Sequence, residues 1–177
     1  MNQYTEVIQK KLLRVKYKSD LNEFIGWLDN DPIKFQALMA CFFSNNLRIC
    51  QKASWPVLHI AINEQNLVKP YLSKMVRNLD HAPHDAVVRN TVRIFQDIDI
   101  PENLSGILYE KCFSYIEDIK STIAVKCFSM SILAKIASQY PELSHELVAV
   151  IEEQLPYSSA GFKSRAKRIL PKLKKLI

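Results

Sequence analysis

The sequence predicts an all-α fold, a superhelix of stacked helical pairs with about five pairs and roughly ten helices. Three observations predict it. There are only three glycines in 177 residues, too few for the turns of an all-β fold or for a phosphate-cradling loop. Apolar residues recur at i, i+4 and i+7, the spacing of one helix face, in segment after segment. One such pattern returns at intervals of 37 to 38 residues, and periods near that size belong to α-solenoids.

The leading stretch "MNQYTEVIQKKLLRVKYKSDLNEFIGWLDN" predicts two helices, at 3–17 and 20–29. Asp20 and Glu23 stand where a capping box would open the second. Together, residues 1–30 form a divergent N-terminal capping pair. Four further pairs are expected over 31–177. Their first helices open at Pro32, Pro70, Pro101 and Pro141, because a proline's missing N–H costs nothing in the first helical turn. Their second helices follow Asn46, Asp85, Ser121 or Thr122, and Ser158 or Ser159. Each of these can accept a hydrogen bond from an orphan N–H group.

The second helices carry the repeat. It reads Cys50-Gln51, Ser54, Val57; then Val88-Arg89, Val92, Phe95; then Val125-Lys126, Ser129, Ile132; then Phe162-Lys163, Ala166, Ile169. Pro56 and Pro171 fall inside second helices and are expected to kink or shorten them. The whole of 1–177 reads as a single helical-repeat domain whose last pair ends in a basic capping helix.

Net charge is +6, unevenly spread. Residues 1–18 hold five basic side chains and one acidic, and residues 156–177 hold seven basic and none acidic. The segment between carries 12 basic and 17 acidic groups, so a high isoelectric point is not by itself a nucleic-acid signature here. The opening residues lack the basic and apolar regions of a secretory signal. The longest apolar run, "LMACFF" at 38–43, is far short of a membrane span. Cys41, Cys50, Cys112 and Cys127 form no paired motif and sit in apolar helical segments. They read as reduced core thiols of a cytoplasmic protein.

The motif of Asp85, Val88, Arg89 and Val92 resembles the second helix of a HEAT repeat, and the other three copies are similar in looser form. The resemblance covers roughly 31–177. It implies that second helices line a concave face, where Gln51, Arg89, Lys126 and Lys163 would form one ladder. Trp55, Arg93, Met130 and Lys167 would form the next, one turn on. It also implies that Arg89 pairs with Asp85. The positions equivalent to Asp85 are Leu47, Thr122 and Ser159, so Lys126 and Lys163 have no such acid and read as solvent-facing. The terminal helix adds Arg168 to this basic side.

The expected function is a non-enzymatic scaffold or adaptor that binds a protein or peptide on the concave face. The candidate contact residues are Trp55, Arg89, Arg93, Lys126, Met130, Lys163, Lys167 and Arg168. The alternative is a nucleic-acid-binding module that uses the basic stripe and the terminal helix. HEAT-type alkylpurine DNA glycosylases share this fold, and Trp55, His59, Arg89, Arg93 and Asp97 could share one side. The tryptophan-rich, aspartate-bearing helix motifs of that family are absent. No catalytic signature, cofactor loop or metal-ligand spacing is evident. His81 and His84, flanked by Asp80 and Asp85, read as a solvated turn.

Overall fold

The computed structural model describes residues 3–177, so the first two residues of the predicted capping pair lie outside the described residues. Every regular element among the described residues is helical. In order these are α1 (Thr5–Arg14), α2 (Lys18–Leu28), α3 (Pro32–Phe42), α4 (Leu47–Asn63), α5 (Gln65–Val68), α6 (Leu72–Asn78), α7 (Asp85–Asp97), α8 (Glu102–Glu117), α9 (Ile123–Ala137), α10 (Ser144–Gln154) and α11 (Ala160–Leu173). The chain divides into two compact units, one ending at Ile98 and the other beginning at Asp99.

In the first unit α1 packs on α3 and α4, α3 on α4, and α4 on α7. Ile8, Leu12, Phe35, Leu38, Phe42, Val57 and Phe95 are buried between them. α2 begins earlier than its expected start at residue 20. The Asp20 carboxylate reaches back to accept from the backbone N–H groups of Lys16 and Tyr17 at 2.8 and 2.9 Å. Asp20 therefore serves from inside the first turn instead of standing ahead of it, and those two bonds hold its carboxyl below the usual range. Asp29 and Asn30 both adopt φ of 52° after α2, a conformation that Asp and Asn tolerate better than most residues. Asp31 then caps α3 by accepting from Ile33 and Lys34 N–H, with Pro32 first in the helix as predicted.

Two starts in this unit differ from expectation. Pro70 does not open a helix; it sits in the 3₁₀ turn Lys69–Tyr71 that separates α5 from α6. A proline there withdraws one helical N–H, and the chain responds by tightening for a turn. At α7 the cap is His84, whose Nδ1 accepts from Ala86 N–H at 3.0 Å. Asp85 is instead the first helical residue. α4 is capped by Asn46 as predicted. It runs past Pro56 to Asn63 and is not shortened, because Val57, Leu58, Ile60 and Ala61 beyond the proline are all buried.

In the second unit α9 packs on α8 and α11, and α10 packs on α11. Leu108, Cys112, Ile116, Leu133, Ile136, Ile151 and Phe162 form its core. Pro101 immediately precedes α8, and Pro141 opens a 3₁₀ turn ahead of α10. Thr122 caps α9 by accepting from Val125 N–H, and Ser159 caps α11 by accepting from Phe162 N–H. α11 ends two residues after Pro171. Of the apolar and small positions of the four repeat copies, all but the half-exposed Val88 are buried. Each large apolar side chain among them contributes about 1.5–3 kcal/mol by leaving water.

Candidate functional site

In the first unit a cleft of about 280 Å³ opens between the end of α1 and the outer turns of α4 and α7. Its floor is polar but satisfied. Asn90 Nδ2 donates to Ser54 Oγ at 2.9 Å, and Ser54 Oγ donates to the Gln51 carbonyl at 2.7 Å. Asn90 and Ser54 are both buried. This bond joins α4 to α7 and fixes which face each helix turns outward. Across from Arg89, Lys52 donates from Nζ to the Val15 carbonyl at the end of α1.

The rim combines an aromatic ring with cations. Trp55 is half-buried and Arg89 is exposed, and both line the cleft together with Lys16 and Lys52. Among the described residues no acidic side chain lines it. One turn beyond Trp55, His59 meets its ring edge-on, with centroids 6.0 Å apart and planes at 67°. Burial pushes the His59 pKa down, and the charges of Arg93 and Lys18 push it further the same way. Arg93 therefore extends the positive field of Arg89 along α7, and Lys18 brings a third element to the same side. The expected Arg89–Asp85 ion pair does not form: among the described residues neither makes an ion pair. With Asp85 in the first turn of α7, its carboxylate is already well placed at the positive helix end.

The second unit treats its predicted contact residues differently. Met130 is 0% exposed, so it belongs to the core and offers nothing to a partner. A helical position four after Lys126 turns inward there, because α9 is buried against both α8 and α11. Lys126 is half-buried and already engaged. Its Nζ donates to the Ile116 carbonyl in the last turn of α8 at 2.7 Å and to Gln154 Oε1 at 3.4 Å. It is a C-terminal cap for a neighbouring helix, where a cation is favoured. Lys163 is exposed, with one long contact from Nζ to the Pro156 carbonyl at 3.5 Å. Lys167 and Arg168 are exposed on α11.

Sequence spacing does not reveal the grouping of Lys16 and Lys52 beside Trp55, nor that Lys18 acts on His59. Their separation along the chain gives no local pattern. The Trp55–His59 pair was visible in principle, as aromatic residues one helical turn apart. Nothing here has the makings of a nucleophile among the thiols. All four cysteines are buried and unpaired, and burial pushes Cys41 up to about 11 and Cys112 up to about 12. A thiol raised in this way is inert at neutral pH. Among the described residues no group of His, Cys, Asp and Glu is placed to hold a metal ion, and no helix is long and apolar enough to cross a membrane.

The two helical units, the first carrying an open cationic and aromatic cleft, define a helical-repeat protein. A family model described as a HEAT repeat domain matches residues 8–173, and the chain belongs to that family. The match reaches back into the predicted capping pair, beyond the stretch where the repeat motif is legible. No curated protein and no solved structure matches the chain.

Proposed function

We propose that this chain is a non-enzymatic, cytoplasmic scaffold whose first unit binds an acidic segment of a protein partner in the cleft between α4 and α7. The observation that carries the reading is the composition of that cleft: Trp55, Arg89, Lys16 and Lys52 line it, and among the described residues no carboxylate does. A guanidinium can take a carboxylate through two parallel hydrogen bonds. The tryptophan supplies a rigid apolar surface beside it, and Trp and Arg are the residue types that dominate binding energy in interfaces. Helical repeats offer extended surfaces suited to such segments.

The nucleic-acid alternative draws on the same charges and on the basic face of α11. The two readings separate in one set of titrations. Partners co-purified with the chain are identified, and their affinity is measured for the wild type and for Trp55→Ala. The scaffold reading expects at least a tenfold loss with the variant. Labelled duplex DNA is titrated in parallel at several salt concentrations. Tight DNA binding that falls linearly on a log–log salt plot, with no protein partner sensitive to Trp55, would establish the alternative instead.

A further inference from the structure

In the second unit a cleft of about 480 Å³ opens beside the last turns of α8 and α10 and the start of α9. Glu117, Ile119, Val150, Glu153 and Tyr157 line it, together with Lys126. Ile119 is 92% exposed and Tyr157 is 93% exposed. They are the two most exposed of the large apolar and aromatic side chains among the described residues, and both belong to this one cleft. A single exposed apolar residue is ordinary on a protein surface. Two of them in one concavity, with the half-buried Val150 beside them, mark a surface that another molecule covers.

Braced turns carry both side chains. Asp118 accepts from the Lys120 N–H at 2.9 Å and from the Ser121 hydroxyl at 3.1 Å, which pins the turn that presents Ile119. Tyr157 ends the 3₁₀ turn Leu155–Tyr157, and the Ser158 hydroxyl donates back across it to the Gln154 carbonyl at 2.7 Å. A partner that meets Ile119 and Tyr157 therefore has little backbone to order on binding.

The charge of the lining says what kind of molecule that is. Glu117 is the last residue of α8, and Glu153 is the last but one of α10. Helix C-termini carry partial negative charge and favour cations, yet neither helix has a basic residue in its last turn. Neither glutamate side chain makes a hydrogen bond or an ion pair among the described residues. Lys126 is the one cation among the described residues that line the cleft, and its ammonium is bonded to the Ile116 carbonyl and Gln154 Oε1. Two carboxylates against one cation leave the lining net negative. We infer that this cleft docks a short basic segment of a protein partner. The segment sets Lys or Arg against Glu117 and Glu153, and bulky apolar side chains against Ile119, Val150 and Tyr157. Its long cationic side chains also cover apolar surface with their stems. Nucleic acid and anionic lipid meet repulsion from the same carboxylates. The site lies in the second unit, takes the opposite charge from the cleft around Trp55, and stands without it.

The test pans a phage-displayed library of short random peptides against the full chain and, in parallel, against Ile119→Ser/Tyr157→Ser, changed only at exposed positions. Peptides recovered on the wild type alone carry net positive charge together with bulky apolar residues. Acidic peptides held at Trp55 are recovered on both chains and drop out of the comparison. In fluorescence-anisotropy titrations Glu117→Lys/Glu153→Lys binds the selected peptides at least tenfold more weakly. Its melting temperature does not fall, because cations replace anions at two helix C-termini. Affinity lost without stability lost separates docking from a structural role. Recovery of no peptide that depends on Ile119 and Tyr157 overturns the proposal. So does a selected set with net negative charge, and so does unchanged affinity in the charge-reversed variant. Binding to phosphatidylserine-containing vesicles, or self-association in sedimentation velocity, that the serine variant abolishes also overturns it, by giving the apolar pair to lipid or to a second copy of the chain.

Discussion

Arg89 and Lys126 occupy the same position of the repeat, yet they do different work. Arg89 is exposed at the edge of a cleft, whereas Lys126 spends its ammonium on the Ile116 carbonyl. Lys126→Met should therefore cost about 1.5–3 kcal/mol of stability, the range for a hydrogen bond made by a charged group, and leave partner affinity unchanged. Urea unfolding alongside a binding titration checks both halves. His59 reports on Arg93 in the same way. With Arg93→Gln, the His59 pKa should move upward, toward the ordinary histidine value, in an NMR titration; no movement would mean that Arg93 does not act on His59. Because its folded pKa is lowered, the unfolded chain takes up the proton first as pH falls. Stability contributed here is complete above the unfolded histidine pKa, near 6.5, and declines as pH drops through it toward the folded value.

At the scale of elements, the second helices are held together by a buried polar contact as well as by apolar packing. Ser54→Ala takes the acceptor from a buried Asn90 amide, so α4 and α7 should separate more easily, at a cost of about 1–3 kcal/mol. The double variant with Asn90→Ala should cost less than the sum of the single ones, as expected for partners in one bond; strict additivity in chemical denaturation would argue against the contact. The helices themselves were legible from sequence because apolar spacing and caps are local signals. Asn46, Thr122 and Ser159 all cap where expected. Pro70 and His84 departed from the reading for equally local reasons. A proline is compatible with a helix start and also with a break, and a histidine nitrogen can accept as a cap oxygen does. The site was less legible. Sequence spacing placed Met130 one turn from Lys126 but could not say which side of α9 faces a neighbour, and helix faces are assigned by tertiary packing.

For the molecule as a whole, composition and period were enough to indicate the fold class, because a period of 37 to 38 residues fits few architectures. The family match over residues 8–173 agrees with it. What a repeat pattern does not encode is where cations gather without carboxylates beside them, since that depends on side chains brought together from distant segments. Lys16, Lys52, Trp55 and Arg89 meet only in the folded first unit. The proposed function requires this meeting point to serve recognition and not the integrity of the repeat. It is tested most directly on Arg89→Glu by a thermal melt and a partner titration made on the same sample. Charge reversal at this exposed position should leave stability within about 0.5 kcal/mol of wild type and weaken the partner at least tenfold, about 1.4 kcal/mol of binding free energy. A clear loss of melting temperature with partner affinity intact would contradict it and return Arg89 to a structural role.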